Sequence, residues 1–150
     1  MQEERGTARF RPVLPDDSEA VLRLAEELGY FINPEAGRKR LREITSNKHH
    51  LFLVAELNDG TIAGWAHAAL QSQFLIDQHV ELHGLIVGER WRSRGIGEKL
   101  LVQVEAWARM QGCVLVLVRT NVIRERAHTF YTRLGYTEQK RQAILIKELD

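Results

Sequence analysis

Hydrophobic and polar positions recur along the chain with periods that predict an element for most of it. Strand-like runs, alternating or continuously apolar, occur at Ala8–Val13, Leu51–Leu57, Thr61–Gln71, His79–Val87, Val114–Val118 and Ala143–Lys147. Apolar residues at helical spacing predict four helices, which contain Val21–Leu28, Leu41–Ile44, Ile96–Ala108 and Ala127–Leu134. Strands and helices do not alternate strictly, so the pattern predicts an α+β fold with a mixed sheet.

Local signals refine the ends of these elements. Asp16, with Glu19 three residues later, predicts a capped start for the first helix. Asn33–Pro34 predicts the start of the second helix, because asparagine caps and proline fits the first turn. Asn58–Gly60 predicts a hairpin turn. The unbroken apolar run Val114–Val118 is typical of a buried central strand.

Length and charge limit the function classes. A chain of 150 residues predicts one domain, over residues 1–150. The 21 basic and 20 acidic side chains give a net charge of +1, which argues against a broad surface for nucleic acid. The positive charge gathers locally at residues 90–94, which indicates a small anionic ligand.

Several expectations concern location and metals. No apolar run is long enough for a membrane span, so we expect no membrane partner. The single cysteine, Cys113, favours a reducing compartment, and we expect a cytoplasmic protein. We expect no metal, because one cysteine cannot build a site and His49–His50 has no companion at ligand spacing; a turn is the better interpretation of that pair.

The segment Arg92–Ser93–Arg94–Gly95–Ile96–Gly97 has the features of an anion-binding site. It follows a predicted strand and opens a helix, whose first turn offers free backbone N–H groups and the positive end of the dipole. Glycine lets a ligand oxygen approach the backbone, and the arginines add charge-assisted bonds. A solvated basic turn is the alternative. The sequence lacks the lysine–serine/threonine ending of a Walker loop and the third glycine of a dinucleotide fingerprint.

Two motifs resemble the GNAT superfamily, the Gcn5-related N-acetyltransferases. Arg92–Gly97 is similar to the family's Arg/Gln-x-x-Gly-x-Gly/Ala loop, and Ala127–Tyr136 is similar to its Ala-x-x-Phe-Tyr-x-x-x-Gly-Phe/Tyr motif. Ser93, Glu89 and Arg124 depart from residues that are common in the family. The resemblance implies α/β/α layers with a mixed sheet of about six or seven strands and about four helices. It also implies acetyl-CoA as co-substrate.

The resemblance assigns the donor site. It implies that the loop holds the pyrophosphate of acetyl-CoA and that main-chain groups of the fourth strand pair with the pantetheine arm. The residues implied for donor binding are Leu85, Ile86, Val87, Arg92, Ser93, Arg94, Gly95, Ile96, Gly97, Asn121 and Tyr131.

Three residues are candidates for catalysis. Tyr131 matches the motif tyrosine that protonates the leaving thiolate, although its apolar helix face also allows a core role. Glu81 resembles the family's glutamate base, and His83 is a relay or an alternative base. Alternation places both on one strand face with Leu85 and Val87, unless Gly84 introduces a bulge; a solvated polar face is the alternative.

These residues predict an N-acetyltransferase that moves the acetyl group directly to a primary amine in a ternary complex. The acceptor is a small molecule or a peptide, and a homodimer is compatible with the resemblance. A non-catalytic acyl-CoA-binding module is the second hypothesis. Another nucleotide-binding enzyme is the third.

Overall fold

The fold is built on one β-sheet. The structure is a computed structural model that describes residues 7–150. Five strands form one sheet: β1 Arg9–Pro12, β2 His50–Glu56, β3 Ile62–Gln71, β4 His79–Val87 and β5 Val116–Val118. Their spatial order follows the chain, with three antiparallel pairs and a parallel pair between β4 and β5. The predicted mixed sheet is confirmed.

Helices cover both faces of this sheet. These helices are α1 Ser18–Glu27, α2 Pro34–Thr45 and α3 Ile96–Met110; a fourth helix, α4 Glu125–Arg133, follows β5 in the chain. Alternate residues of β2 show the two sides, since Phe52 and Val54 join the core beneath α1 and α2, whereas Leu53 and Ala55 are buried outside that core. Helix α3 packs on β2, β3 and β4 and contributes fully buried leucines. Alternation along a strand thus builds two cores from one sheet.

The helix starts follow their capping chemistry. Asn33 accepts hydrogen bonds from the N–H groups of Glu35 and Ala36 at 3.0 and 3.1 Å, as predicted. The predicted Asp16 cap is wrong: a short 3-10 turn over Pro15–Asp17 precedes α1. The Asp17 carboxylate instead accepts from the Leu14 N–H at 2.7 Å and from the Arg11 guanidinium.

The sheet has five strands among the described residues, fewer than the six or seven predicted. The apolar run Ala143–Lys147 forms no strand, and its Leu145 side chain is 91% exposed. The fifth strand is also shorter than expected and lies at the sheet edge, not the centre, with Val114 91% exposed. Hydrophobic patterning indicates strand propensity, but pairing needs a partner in register.

The chain divides into two compact units, one ending at Arg119 and the other running from Thr120 to Asp150. The first holds the sheet with α1, α2 and α3, and the second holds α4. In the described part of the chain, no helix combines the length and apolar character needed to cross a bilayer.

Candidate active site

The loop between β4 and α3 is the predicted anion site. A 3-10 turn over Glu89–Trp91 follows Gly88, and Gly95 occupies the N-cap position of α3 at φ 81°. No side chain caps this end of α3, so the first-turn N–H groups are available to an outside acceptor. A Cβ at Gly95 would meet nothing within 4 Å, which leaves open space beside the backbone. The geometry therefore suits a phosphate group.

Ser93 takes a left-handed backbone conformation. Its φ is 63°, and Ser93 is the only non-glycine residue with positive φ in the described chain. Glycine adopts this left-handed region without steric cost, whereas an L-residue pays about 1–2 kcal/mol. Ser93 therefore holds the loop geometry under backbone strain.

The two loop arginines have different surroundings. Arg92 is half-buried, and its Nε donates to the Val87 carbonyl oxygen at 3.1 Å, which ties the loop back to β4. Arg94 is exposed beside the N-cap Gly95. Arg92 therefore anchors the loop, while Arg94 is the cation presented to solvent at the start of α3.

The edge of β4 that faces β5 is only partly paired. Strand β5 pairs with Val80, Glu81 and Leu82 only. Beyond Leu82 the described residues form no further pairs on that edge, so the stretch from His83 to Val87 has one strand neighbour, β3. The segment Leu85–Val87, predicted to pair with pantetheine, therefore runs along the part of β4 that β5 leaves open. An unpaired strand edge can accept an extended ligand arm through main-chain hydrogen bonds.

Glu81, the first candidate base, forms an ion pair. Its side chain is 14% exposed, and its Oε1 accepts from Arg119 Nε at 2.8 Å. Arg119 directly follows β5, whose Leu117 is opposite Glu81 in the parallel register. The ion pair fixes the direction of the carboxylate. Sequence patterning gave no signal for Arg119, because the pairing depends on the register between β4 and β5.

A bulge in β4 changes which side chains share a face. Leu82 pairs with Ala68 and Gly84 with His67, so His83 is the extra residue. Gly84 faces the Trp65 ring, which a Cβ would approach to 2.7 Å. Glu81 and His83 share a face, but Leu85 and Val87 lie on the other. The expectation that all four side chains share one face is therefore wrong. The reason is the bulge that Gly84 had indicated, because the extra residue reverses the facing of the residues that follow it.

Histidines collect around that bulge. His50 Nδ1 lies 2.9 Å from His67 Nε2, and the His67 and His83 ring centroids are 5.0 Å apart. His50 is the first residue of β2 and not part of a turn, which corrects its predicted placement. The hairpin turn could have revealed the His50–His67 proximity, because it sets the register of β2 on β3. Burial first, then the neighbouring His83 and His50, lower the pKa of His67 to about 4.

Tyr131 and Asn121 belong to the second unit. Tyr131 lies on α4, with its ring edge-on to Phe130 at 5.1 Å and to Tyr136 at 5.7 Å between centroids. Burial raises the pKa of the Tyr131 hydroxyl to about 12. Asn121 Oδ1 accepts from the Ile123 N–H at 3.1 Å and closes the turn before α4.

A groove of about 160 Å³ separates α1 and α2 from the sheet. Among residues 7–150 its lining is mostly apolar and includes Trp65 and His67 but no carboxylate. The Trp65 indole N–H donates to the Val21 carbonyl oxygen at 3.2 Å, which fixes the floor of the groove.

A mixed sheet whose fourth strand runs into a glycine loop at a helix start defines the class of acyl-CoA acyltransferase folds. A model of the acetyltransferase (GNAT) family matches residues 15–136, so this chain belongs to that family. It is accordingly an enzyme, an N-acetyltransferase.

Relatives and solved structures agree with that placement. An aminoglycoside N(6')-acetyltransferase type 1 of Serratia marcescens is 29% identical over 138 residues, covering 89% of this chain and 94% of the relative. The aminoglycoside 6'-N-acetyltransferase AAC(6')-Ih of Acinetobacter baumannii matches with a TM-score of 0.85 at 20% identity, covering 95% and 99% of the two chains. AAC(6')-Iy, solved with a CoA-containing bisubstrate analogue, matches with a TM-score of 0.86 at 22% identity, covering 96% and 100%. The predicted fold family is confirmed.

Proposed function

We propose that this enzyme transfers the acetyl group of acetyl-CoA directly to a primary amine of a small cationic molecule, with aminoglycosides as the leading acceptor class. The observation that carries the proposal is the family match over residues 15–136. The aminoglycoside-acetylating relative that spans most of the chain supports the acceptor class. The proposal treats residues 1–150 as one catalytic domain.

The donor would be held by backbone and charge. The N–H groups at the start of α3 and the Arg94 guanidinium would bind the pyrophosphate, with Ser93, Ile96 and Gly97 contributing the loop backbone. Main-chain groups of Leu85–Val87 would pair with the pantetheine arm along the edge that β5 leaves open. Such contacts would place the thioester before the acceptor arrives, which removes much of the entropic barrier to transfer.

The chemistry balances as one acyl transfer. The neutral amine nitrogen attacks the thioester carbonyl carbon, a C–N bond forms, and the C–S bond breaks with the electron pair leaving on sulfur. Glu81 would accept the proton that the amine loses, directly or through water, with His83 as relay or alternative base. Tyr131 would donate its hydroxyl proton to the thiolate.

A coenzyme A release assay tests the proposal. Purified protein is given acetyl-CoA and a panel of aminoglycosides, polyamines and lysine or N-terminal peptides, and the free thiol is followed with time. We expect release that depends on an amine and is fastest with an aminoglycoside. Acetyl-CoA binding without release on any acceptor would favour the non-catalytic module instead.

A matched pair of variants ties the assay to the loop. Arg94→Ala removes the exposed cation at the start of α3, and we expect about tenfold or greater loss of acetyl-CoA affinity, because a hydrogen bond to a charged group contributes about 1.5–3 kcal/mol. Arg109→Ala removes an exposed arginine from the last turn of the same helix and serves as the control. Equal affinities in the two variants would show that the donor binds elsewhere.

A further inference from the structure

Three histidine side chains converge on one point of the sheet. His50, His67 and His83 each offer a ring nitrogen, and these atoms all lie within 4.8 Å of one another. The closest pair, His50 Nδ1 and His67 Nε2, is 2.9 Å apart. The rings of His67 and His83 meet edge-on, with 5.0 Å between centroids. The three residues come from three neighbouring strands, β2, β3 and β4.

Strand register brings these residues together. Phe52 pairs with His67 across the β2–β3 hairpin, so His50, two residues before Phe52, points to the same face. The bulge in β4 sets both His83 and Gly84 opposite His67. Because Gly84 carries no side chain, the Trp65 ring occupies its place and His83 alone extends toward the other two rings. The cluster thus rests on paired backbone and not on a loop.

The donor set matches a transition-metal site. Zinc binds imidazole nitrogen at about 2.0–2.1 Å, and many zinc sites use three protein ligands with a fourth position open. Tetrahedral geometry at that bond length puts ligand nitrogens roughly 3.3 Å apart, within the range that separates these atoms. Imidazoles favour zinc, copper and nickel, whereas calcium and magnesium prefer oxygen ligands.

Access to the cluster also suits a metal. His83 is exposed and the other two are half-buried, so an ion can enter from the His83 side.

We propose that His50, His67 and His83 form a binding site for one divalent transition-metal ion, Zn²⁺ in the first instance, with a fourth coordination position open to water or to a ligand. The spacing of His49 and His50 along the chain could not reveal such a site, because its ligands are gathered by strand pairing. Such a site departs from the expectation of no metal. A His83 nitrogen that binds the ion could not also relay the amine proton, so an occupied site would leave Glu81 as the proposed base.

Metal titration without substrates tests this site separately from acetyl transfer. Tag-free protein is stripped with a chelator and titrated with Zn²⁺ against a chromophoric competitor, and Co²⁺ is added in parallel for its ligand-field spectrum. We expect one equivalent of Zn²⁺ and a tetrahedral Co²⁺ spectrum. Absence of stoichiometric binding in the folded wild-type protein would overturn the proposal, whatever the outcome of the thiol-release assay.

Two exposed histidines, His83 and His49, provide the matched variants. His83→Gln removes the exposed member of the cluster, and we expect Zn²⁺ affinity to fall about tenfold or more. His49→Gln changes an exposed histidine beside His50, outside the cluster, and should leave the affinity unchanged. His50→Gln and His67→Gln should reproduce the His83 loss, with circular dichroism showing that each remains folded. Equal Zn²⁺ affinity in His83→Gln and His49→Gln would contradict the assignment.

Discussion

Glu81 and Arg119 form an ion pair, with 2.8 Å between the Arg119 Nε and the Glu81 Oε1. Glu81 lies on β4 opposite Leu117 of β5, and Arg119 immediately follows that strand. The guanidinium therefore orients the carboxylate at the point where β5 stops pairing with β4. A base in a fixed orientation is what proton transfer from a bound amine requires.

Replacing Glu81 by glutamine tests its role as base. The amide oxygen can still accept from Arg119, but the side chain can no longer take a proton. We expect kcat to fall by about 10²-fold or more, while the KM for acetyl-CoA changes less than about twofold. Glu43→Gln, at an exposed position of α2, is the control. A kcat within about twofold of wild type would move the base to another residue.

Strain at Ser93 predicts opposite behaviour for two substitutions. Ser93→Val places a β-branched residue at φ 63°, and we expect a loss of about 1–2 kcal/mol in the free energy of unfolding, together with weaker acetyl-CoA binding. Ser93→Gly removes the strain and should bind acetyl-CoA at least as well as wild type. Chemical denaturation and calorimetric titration measure the two effects. Similar affinity in both variants would show that the left-handed turn is not needed for binding.

Tyr131 is expected to act on turnover and not on donor affinity. Tyr131→Phe removes the hydroxyl and keeps the ring contacts, so kcat should fall about 10²-fold with little change in the acetyl-CoA dissociation constant. Stopped-flow turnover and equilibrium binding separate the two quantities. Unchanged turnover would remove the proton-donor role and leave Tyr131 as a packing residue.

The same hydroxyl has a pH signature in the free enzyme. Its pKa is raised by burial from 10.0 to about 12, so Tyr131 contributes stability below pH 10 that is lost as pH rises toward 12. In an ultraviolet titration, one of the three tyrosines should ionise later than the other two. Tyr131→Phe should abolish this late step. A late step that persists in the variant would assign it to another tyrosine.

The Arg11–Asp17 pair predicts how the sheet unit responds to acid. Burial alone would raise the pKa of Asp17, but hydrogen bonds from the Arg11 guanidinium and the Leu14 N–H outweigh it and lower the pKa. The resulting stability is present above the ordinary pKa of the carboxyl and is lost as pH falls through the lowered value.

Asp17→Asn should therefore destabilise the protein by about 1.5 kcal/mol at pH 7, because it removes the carboxylate that Arg11 pairs with at 2.7 Å, while the guanidinium keeps its ion pair with Glu56. The difference from wild type should shrink as the pH falls below the ordinary pKa of about 3.9 and through the lowered pKa of the folded carboxyl. Urea denaturation across this pH range measures both effects, with exposed Asp16→Asn as the control. A difference that does not vary with pH would contradict the linkage.

Much of the fold could be predicted because local chemistry determines it. The Asn33 cap, the Asn58–Gly60 hairpin and the helix after Gly95 depend on short segments, and the structure contains all three. The run at Ala143–Lys147 has strand propensity, but no strand among the described residues pairs with it. The number of strands depends on pairing between segments that are distant in the chain. The hydrophobic pattern of one segment does not show which segment it pairs with.

The same distinction between local and long-range determinants applies to the candidate site. The Arg92–Gly97 loop is a continuous motif, so its position before α3 could be read directly. The Glu81–Arg119 pair and the histidine cluster arise from register between strands, including a bulge at His83. In the sequence Gly84 indicated that bulge, but only the strand pairing shows which side chains the bulge moves to the opposite face of the sheet.

The most direct test of the central claim is mass spectrometry of an aminoglycoside carrying a primary 6'-amine, incubated with the enzyme and acetyl-CoA. Transfer predicts a product heavier by one acetyl group, formed with one equivalent of free coenzyme A, and greatly reduced with Arg94→Ala at the same donor concentration. Bound acetyl-CoA with no acetylated product from this or any other amine would contradict the account.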